Sequence, residues 1–194
     1  TAPGWTYGFP EMDKGQRAAI RASTRISNPG CYPTGVIALV RPLVVRGFVP
    51  PSYPLTVNAV SGYTGGGNAG RIANLPMFMP AVGRFAQGMI VEVPLTLRML
   101  PNTPRKADLH AALTQAYEGE RFVKVVPLAE SDKLTGLEPE ACHGTNRLEL
   151  FVFGNDEQAR LVARLDNLGK GASGAAVQNL NIALGLDEWT GLEA

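Results

Sequence analysis

Covalent chemistry in this chain would centre on Cys31, because of the residues packed around it. Residues 27–35 read Ser-Asn-Pro-Gly-Cys-Tyr-Pro-Thr-Gly and lead into the apolar run 36–40. Pro29-Gly30 enforces a turn, and Pro33 suits the first position of a helix. Cys31 is then expected just ahead of a helix N-terminus, beside N–H groups that lack intrahelical partners. The positive end of the helix dipole is expected to favour a thiolate and lower the thiol pKa. A thiolate there could attack a carbonyl carbon while the same N–H groups steady the oxyanion. A cysteine serving only as a small core residue needs no such turn.

The other reactive side chains offer less. Cys142 is followed by His143, but two adjacent ligands make no metal site alone and zinc-type spacings are absent, so no metal is expected. His110 is expected in solvent on the polar side of a helix. With 194 residues, 45% of them apolar, the chain can bury a full core without a disulfide. No export signal opens it, so a reducing, cytoplasmic setting is expected. It also opens without Met, and is expected to start inside a longer gene product. The 18 basic and 17 acidic residues form no block, which argues against nucleic acid or an anionic membrane as partner. The apolar run 36–45 contains Arg41 and Pro42 and is too short to span a bilayer.

Elements must hold that cysteine in place. Strands are expected at 55–61, 89–97, 121–126 and 147–153, which are β-branched or aromatic and bounded by turn residues. Pro94 should make the second an edge or bulged strand. Leu109, Ala112, Leu113, Ala116 and Tyr117 follow helical spacing. Asn155-Asp156 looks like an N-cap for a helix carrying Val162, Leu165 and Leu168 and stopping at Gly169. A last helix is expected from 173 to 184, stopped by Gly185. The order implies an α+β fold, a mixed sheet covered by helices on one face. Residues 1–168 would form one unit, with 1–26 as a lead-in. The small residues from Gly171 onward suggest that 169–194 packs against a further domain.

Residues 28–35 also resemble the active-site signature of the N-acetyl-γ-glutamyl-phosphate reductase family. Segments 7–11, 61–67, 80–89, 144–150 and 171–186 are similar to other parts of its shorter form, so the resemblance covers most of the chain. It implies a catalytic domain like that of glyceraldehyde-3-phosphate-dehydrogenase-type enzymes, in a homo-oligomer. It also implies that Cys31 attacks the carbonyl carbon of an acyl phosphate and expels phosphate, leaving a thioester that NADPH reduces to the semialdehyde. Asn28, Arg84 and Gln87 would hold substrate, Arg84 and Gln87 through its phosphate or α-carboxylate. Ser61 and Gly62 of the glycine-rich loop, with Gly174 and Asn179 of the last helix, would face the NADP cofactor.

The chain departs from that family twice. Thirty residues before Cys31 cannot make the family's Rossmann domain, so cofactor binding should be poor. The family's H-x-H-x-P-E motif, which supplies a general acid/base, is missing between residue 67 and residue 80. Without a base, about two to four powers of ten in rate are expected to be lost. Three other readings stay open: a non-catalytic dimerisation module, an aspartate-semialdehyde dehydrogenase, and a cysteine hydrolase with a histidine near Cys31.

Overall fold

The computed structural model describes residues 2–65 and 77–194. Within them, strands β3 (Thr56–Ser61), β4 (Met77–Val82), β5 (Met89–Thr96), β6 (Val123–Val125), β7 (Leu148–Gly154) and β8 (Gln158–Leu165) form one sheet in the order β4-β3-β5-β8-β7-β6. The β3–β4 and β6–β7 pairs are parallel and the rest antiparallel, so the sheet is mixed, as expected. Helices α2 (Cys31–Val45) and α3 (Lys106–Ala116) cover one face, meeting Val91, Val93, Leu161, Ala163, Leu148 and Leu150 in the main core. The opposite face carries Val162 and Phe151 with Ile90 and Phe153. Near the start, β1 (Thr6–Tyr7) and β2 (Ile26–Ser27) pair in parallel beside α1 (Gln16–Arg21), and Phe9 joins the main core.

The segment after Asn155-Asp156 is a strand, not the expected helix. Asn155 Oδ1 accepts from the backbone N–H groups of Glu157 and Gln158, which closes a hairpin between β7 and β8. Leu165 faces the helices while Val162 faces the opposite side, each opposite a buried partner. A strand buried on both faces loses its polar alternation, and the remaining spacing imitates a helix. Pro94 is likewise interior, between β3 and β8. The β3 ladder stops at Asn58–Glu92, two residues before it, so its missing N–H is not needed on that side.

Helix α2 carries the site and contains Pro42, which cannot donate to Ala38 O four residues back. The Tyr117 hydroxyl, at the end of α3, donates to that oxygen at 2.8 Å. Gly35 lets the helix lie close to the sheet, since a Cβ there would sit 2.8 Å from Val91. Tyr117→Phe should therefore orphan a buried carbonyl and cost about 1–3 kcal/mol, read as a lower midpoint of urea unfolding.

Candidate active site

Helix α2 begins at Cys31 itself, two residues earlier than the proline pattern suggests, with Gly30 as an extended N-cap. The thiol is half-buried. Its pKa is raised, against the sequence expectation: burial pushes it up, and the backbone N–H groups of Tyr32 and Cys31 pull it down by less. Iodoacetamide should thus modify Cys31 slowly at neutral pH, with the rate climbing only above the ordinary thiol value of 9.0. A rate that is already at its plateau at pH 7 would contradict this.

The wall facing Cys31 is Gly171. A Cβ on Gly171 would lie 2.6 Å from Cys31 Cβ, so only glycine fits there. Gly171 belongs to a π-helical turn, Gly169–Ser173, that leads into α5 (Gly174–Leu184). The small residues of this region thus find their use inside the described residues: Gly171 admits Cys31, and Gly174 lies against Gly169 and the side chain of Asn146. Tyr32, next to Cys31 in the chain, is half-buried and stands edge-on to Phe78, with ring centroids 5.1 Å apart.

The β8–α5 corner, residues 166–171, gathers the surrounding loops. Buried Asp166 accepts Gln87 Nε2 on both carboxylate oxygens (2.8 and 2.6 Å), Gly144 N at 2.8 Å and Leu168 N at 2.9 Å. Asn167 Oδ1 accepts Gly88 N at 2.6 Å, and its Nδ2 donates to Thr64 Oγ1. Asp166 O accepts Gly171 N, so one corner links Gln87, the 62–65 turn and the wall at Cys31.

The residues singled out in the sequence are placed as follows. Gln87 and Gly174 line one open cavity of about 300 Å³ together with Asp166 and Asn146. Asn28 and Asn179 meet directly: Asn179 Nδ2 donates to Asn28 Oδ1 at 2.6 Å and to Gly8 O at 2.8 Å. Asn179 is buried, as is Ser61. Gly62 is pressed on the 86–87 backbone, where a Cβ would sit 2.5 Å from Ala86 O, and its N–H donates to Gly88 O. Arg84 is exposed and has no hydrogen bond or ion pair among the described residues. Gly66 and Gly67 of the glycine-rich loop, and residues 68–76, lie outside the described residues.

His143 lies in an exposed turn, and His110 is not free in solvent, because its Nε2 pairs with Val126 O at 3.0 Å. Cys142 is buried and free, as is the Cys31 thiol of any disulfide. Asp166, Asn167, Lys170 and Gly171 were not singled out from the sequence as site residues. The only signal for them was the run of polar and small residues directly after an apolar segment. None of the helices described is long and apolar enough to cross a membrane.

Comparison with known proteins gives the class first. Residues 31–76 and 72–167 match the family described as semialdehyde dehydrogenase, dimerisation domain. The fold agrees: aspartate semialdehyde dehydrogenase II from Vibrio cholerae superposes with a TM-score of 0.65 over 94% of this chain and 69% of that one, at 13% identity. An N-acetyl-gamma-glutamyl-phosphate reductase 2 from Nostoc sp. is 48% identical over 99% of this chain and 73% of its own length. The Brucella ovis N-acetyl-gamma-glutamyl-phosphate reductase is also 48% identical, over 94% and 71%. The chain therefore belongs to the N-acetyl-γ-glutamyl-phosphate reductase family. The Nostoc alignment runs over 236 positions against 194 residues here, so that relative carries residues this chain lacks. The family match comes in two segments that overlap at residues 72–76.

Proposed function

We propose that this chain is the catalytic and dimerisation part of an N-acetyl-γ-glutamyl-phosphate reductase, and that Cys31 is its nucleophile. The observation that carries the reading is Cys31 at the first position of α2, walled by Gly171, in a chain 48% identical to such enzymes. The Cys31 thiol gives its proton to water, and its sulfur forms a bond to the acyl carbon. The bond from that carbon to the phosphate oxygen breaks, and phosphate leaves with the electron pair. The N–H groups at the start of α2 stand ready for the oxyanion. The cavity beside Gln87 and Asp166, with exposed Arg84 nearby in sequence, is the proposed seat of the polar ends of the substrate.

The reductant implied by the family is NADPH, but the described residues do not fit it. The parallel crossover from β6 through α4 (Leu128–Ser131) to β7 has no glycine-rich turn, and its helix is four residues long. Ser61, Gly174 and Asn179 are buried, and the Asn179 amide is already engaged by Gly8 and Asn28. The reducing half-reaction thus has no seat among these residues. A cofactor domain belonging to the rest of the enzyme would supply it, resting on the outward face of α5, where Val177, Leu180 and Leu184 are exposed. The second sheet face, with Val60, Met77 and Met79 exposed at one end, is the proposed homodimer surface. A cytoplasmic location accords with both free thiols.

Acylation can be tested without NADPH. Incubation with N-acetyl-γ-glutamyl phosphate should add one acyl group to the chain by intact mass, removable by hydroxylamine. Cys31→Ser should add none. An equal gain in Cys31→Ser would place the acyl group elsewhere and overturn the reading.

A further inference from the structure

We infer that the buried Lys170–Glu11 ion pair is a positioning device for Cys31, acting through Gly171. This rests on Cys31 being the nucleophile and adds a residue that sets its surroundings. Lys170 Nζ lies 2.7 Å from Glu11 Oε1 and 2.7 Å from Gln178 Oε1, and both charged side chains are essentially inaccessible, at 1% and 0% exposure. The ammonium also sits 5.6 Å from the ring centroids of Phe9 and Phe122.

A buried ion pair is no efficient source of stability. Desolvating two charges costs several kcal/mol, and apolar residues of similar volume often hold a core as well. What the pair supplies is a fixed direction. It fastens the backbone at 170 to the turn Pro10–Met12, behind the site. The next residue, Gly171, touches Cys31 and is held from its other side by Asp166 O at 2.9 Å. The wall that keeps the thiol half-buried is thus pinned at both ends. Releasing one end lets the turn withdraw, and water reaches the sulfur.

The readout is the pH dependence of Cys31 alkylation in the purified chain, followed by peptide mapping. In the double variant Glu11→Gln/Lys170→Met the charges leave together. The glutamine can still accept from Gln178, and the methionine stem still covers the Phe9 and Phe122 rings, so the fold is kept. Alkylation at pH 7 should rise roughly three- to tenfold, the gain expected when a half-buried thiol recovers hydration. Glu11→Gln/Lys170→Gln also removes both charges together, should shift the profile the same way by less, and serves if the first double variant does not fold. Lys106→Met breaks the ion pair with Asp132, which touches neither the Pro10–Met12 turn nor residues 169–173, and should leave the profile unchanged.

A folded double variant with the parent profile would reduce the pair to a structural role and overturn the inference. An equal shift in Lys106→Met would do the same, because it would signal general loosening. Alkylation does not depend on acyl transfer. A Cys31 that alkylates as expected but never accepts an acyl group defeats the proposed function and leaves the tether standing.

Discussion

Lys170→Met alone should lower the unfolding free energy by about 3–5 kcal/mol, because it leaves a buried carboxylate without its cation. Glu11 would keep a single donor, Gln178 Nε2 at 2.8 Å, and its other oxygen is already buried without a hydrogen-bond partner. With a urea slope of about 2 kcal/mol per molar, the midpoint should fall by roughly 1.5–2.5 M. The parent chain should show the same dependence as a function of pH. Burial would raise the Glu11 pKa, but the Lys170 charge and the hydrogen bonds from Lys170 and Gln178 outweigh it, so the folded value lies below the ordinary 4.5. A depressed carboxylate stabilises the fold fully above its unfolded pKa and loses that contribution as pH falls through the folded one. The parent should therefore lose stability below pH 4.5, and Lys170→Met should lose less over the same range. Equal acid sensitivity in the two would mean that the pair is not what holds Glu11 ionised.

The second large effect is expected at Asp166. Asp166→Ala removes the acceptor for Gln87, Gly144 N and Leu168 N at once, in a fully buried place. Each orphaned donor costs about 1–3 kcal/mol where water cannot replace the carboxylate. If the variant folds at low temperature, Gln87 is released from the cavity and acylation of Cys31 should slow by about 10²-fold, the scale set by misplacing a binding group. Asp166→Asn, which can still accept, should recover most of the stability. Acylation at the parent rate in a folded Asp166→Ala chain would remove Gln87 and its support from the substrate seat.

Much of the framework was legible in the sequence because local chemistry determined it. The strands at 56–61, 89–96, 123–125 and 148–154 stand where β-branched runs lie between turn residues. Helix α2 announced itself through Pro-Gly before an apolar run. The α3 stripe of Leu109, Ala112 and Leu113 is buried as its period requires. β8 was hidden because the sheet centre is dry on both sides, and the cap-like Asn155 was serving a hairpin instead. The place of Cys31 at a helix start was legible from its turn, but its pKa was not. The dipole can be read from one helix, whereas desolvation depends on Gly171, which is far away along the chain. Asp166 and Lys170 were invisible for the same reason: their partners are distant in sequence, and no local pattern records such a pairing.

The distance between Glu11 and Lys170 along the chain has a consequence for synthesis. They stand 159 residues apart. At about 5–20 residues per second, a ribosome needs roughly 8–30 seconds to make the second after the first. For most of that interval Cys31 exists without Gly171 beside it, and Glu11 has no cation. The nascent chain thus presents an ordinary, open thiol to cellular oxidants and electrophiles, and the sheltered one exists only after the last strand of the sheet has been made.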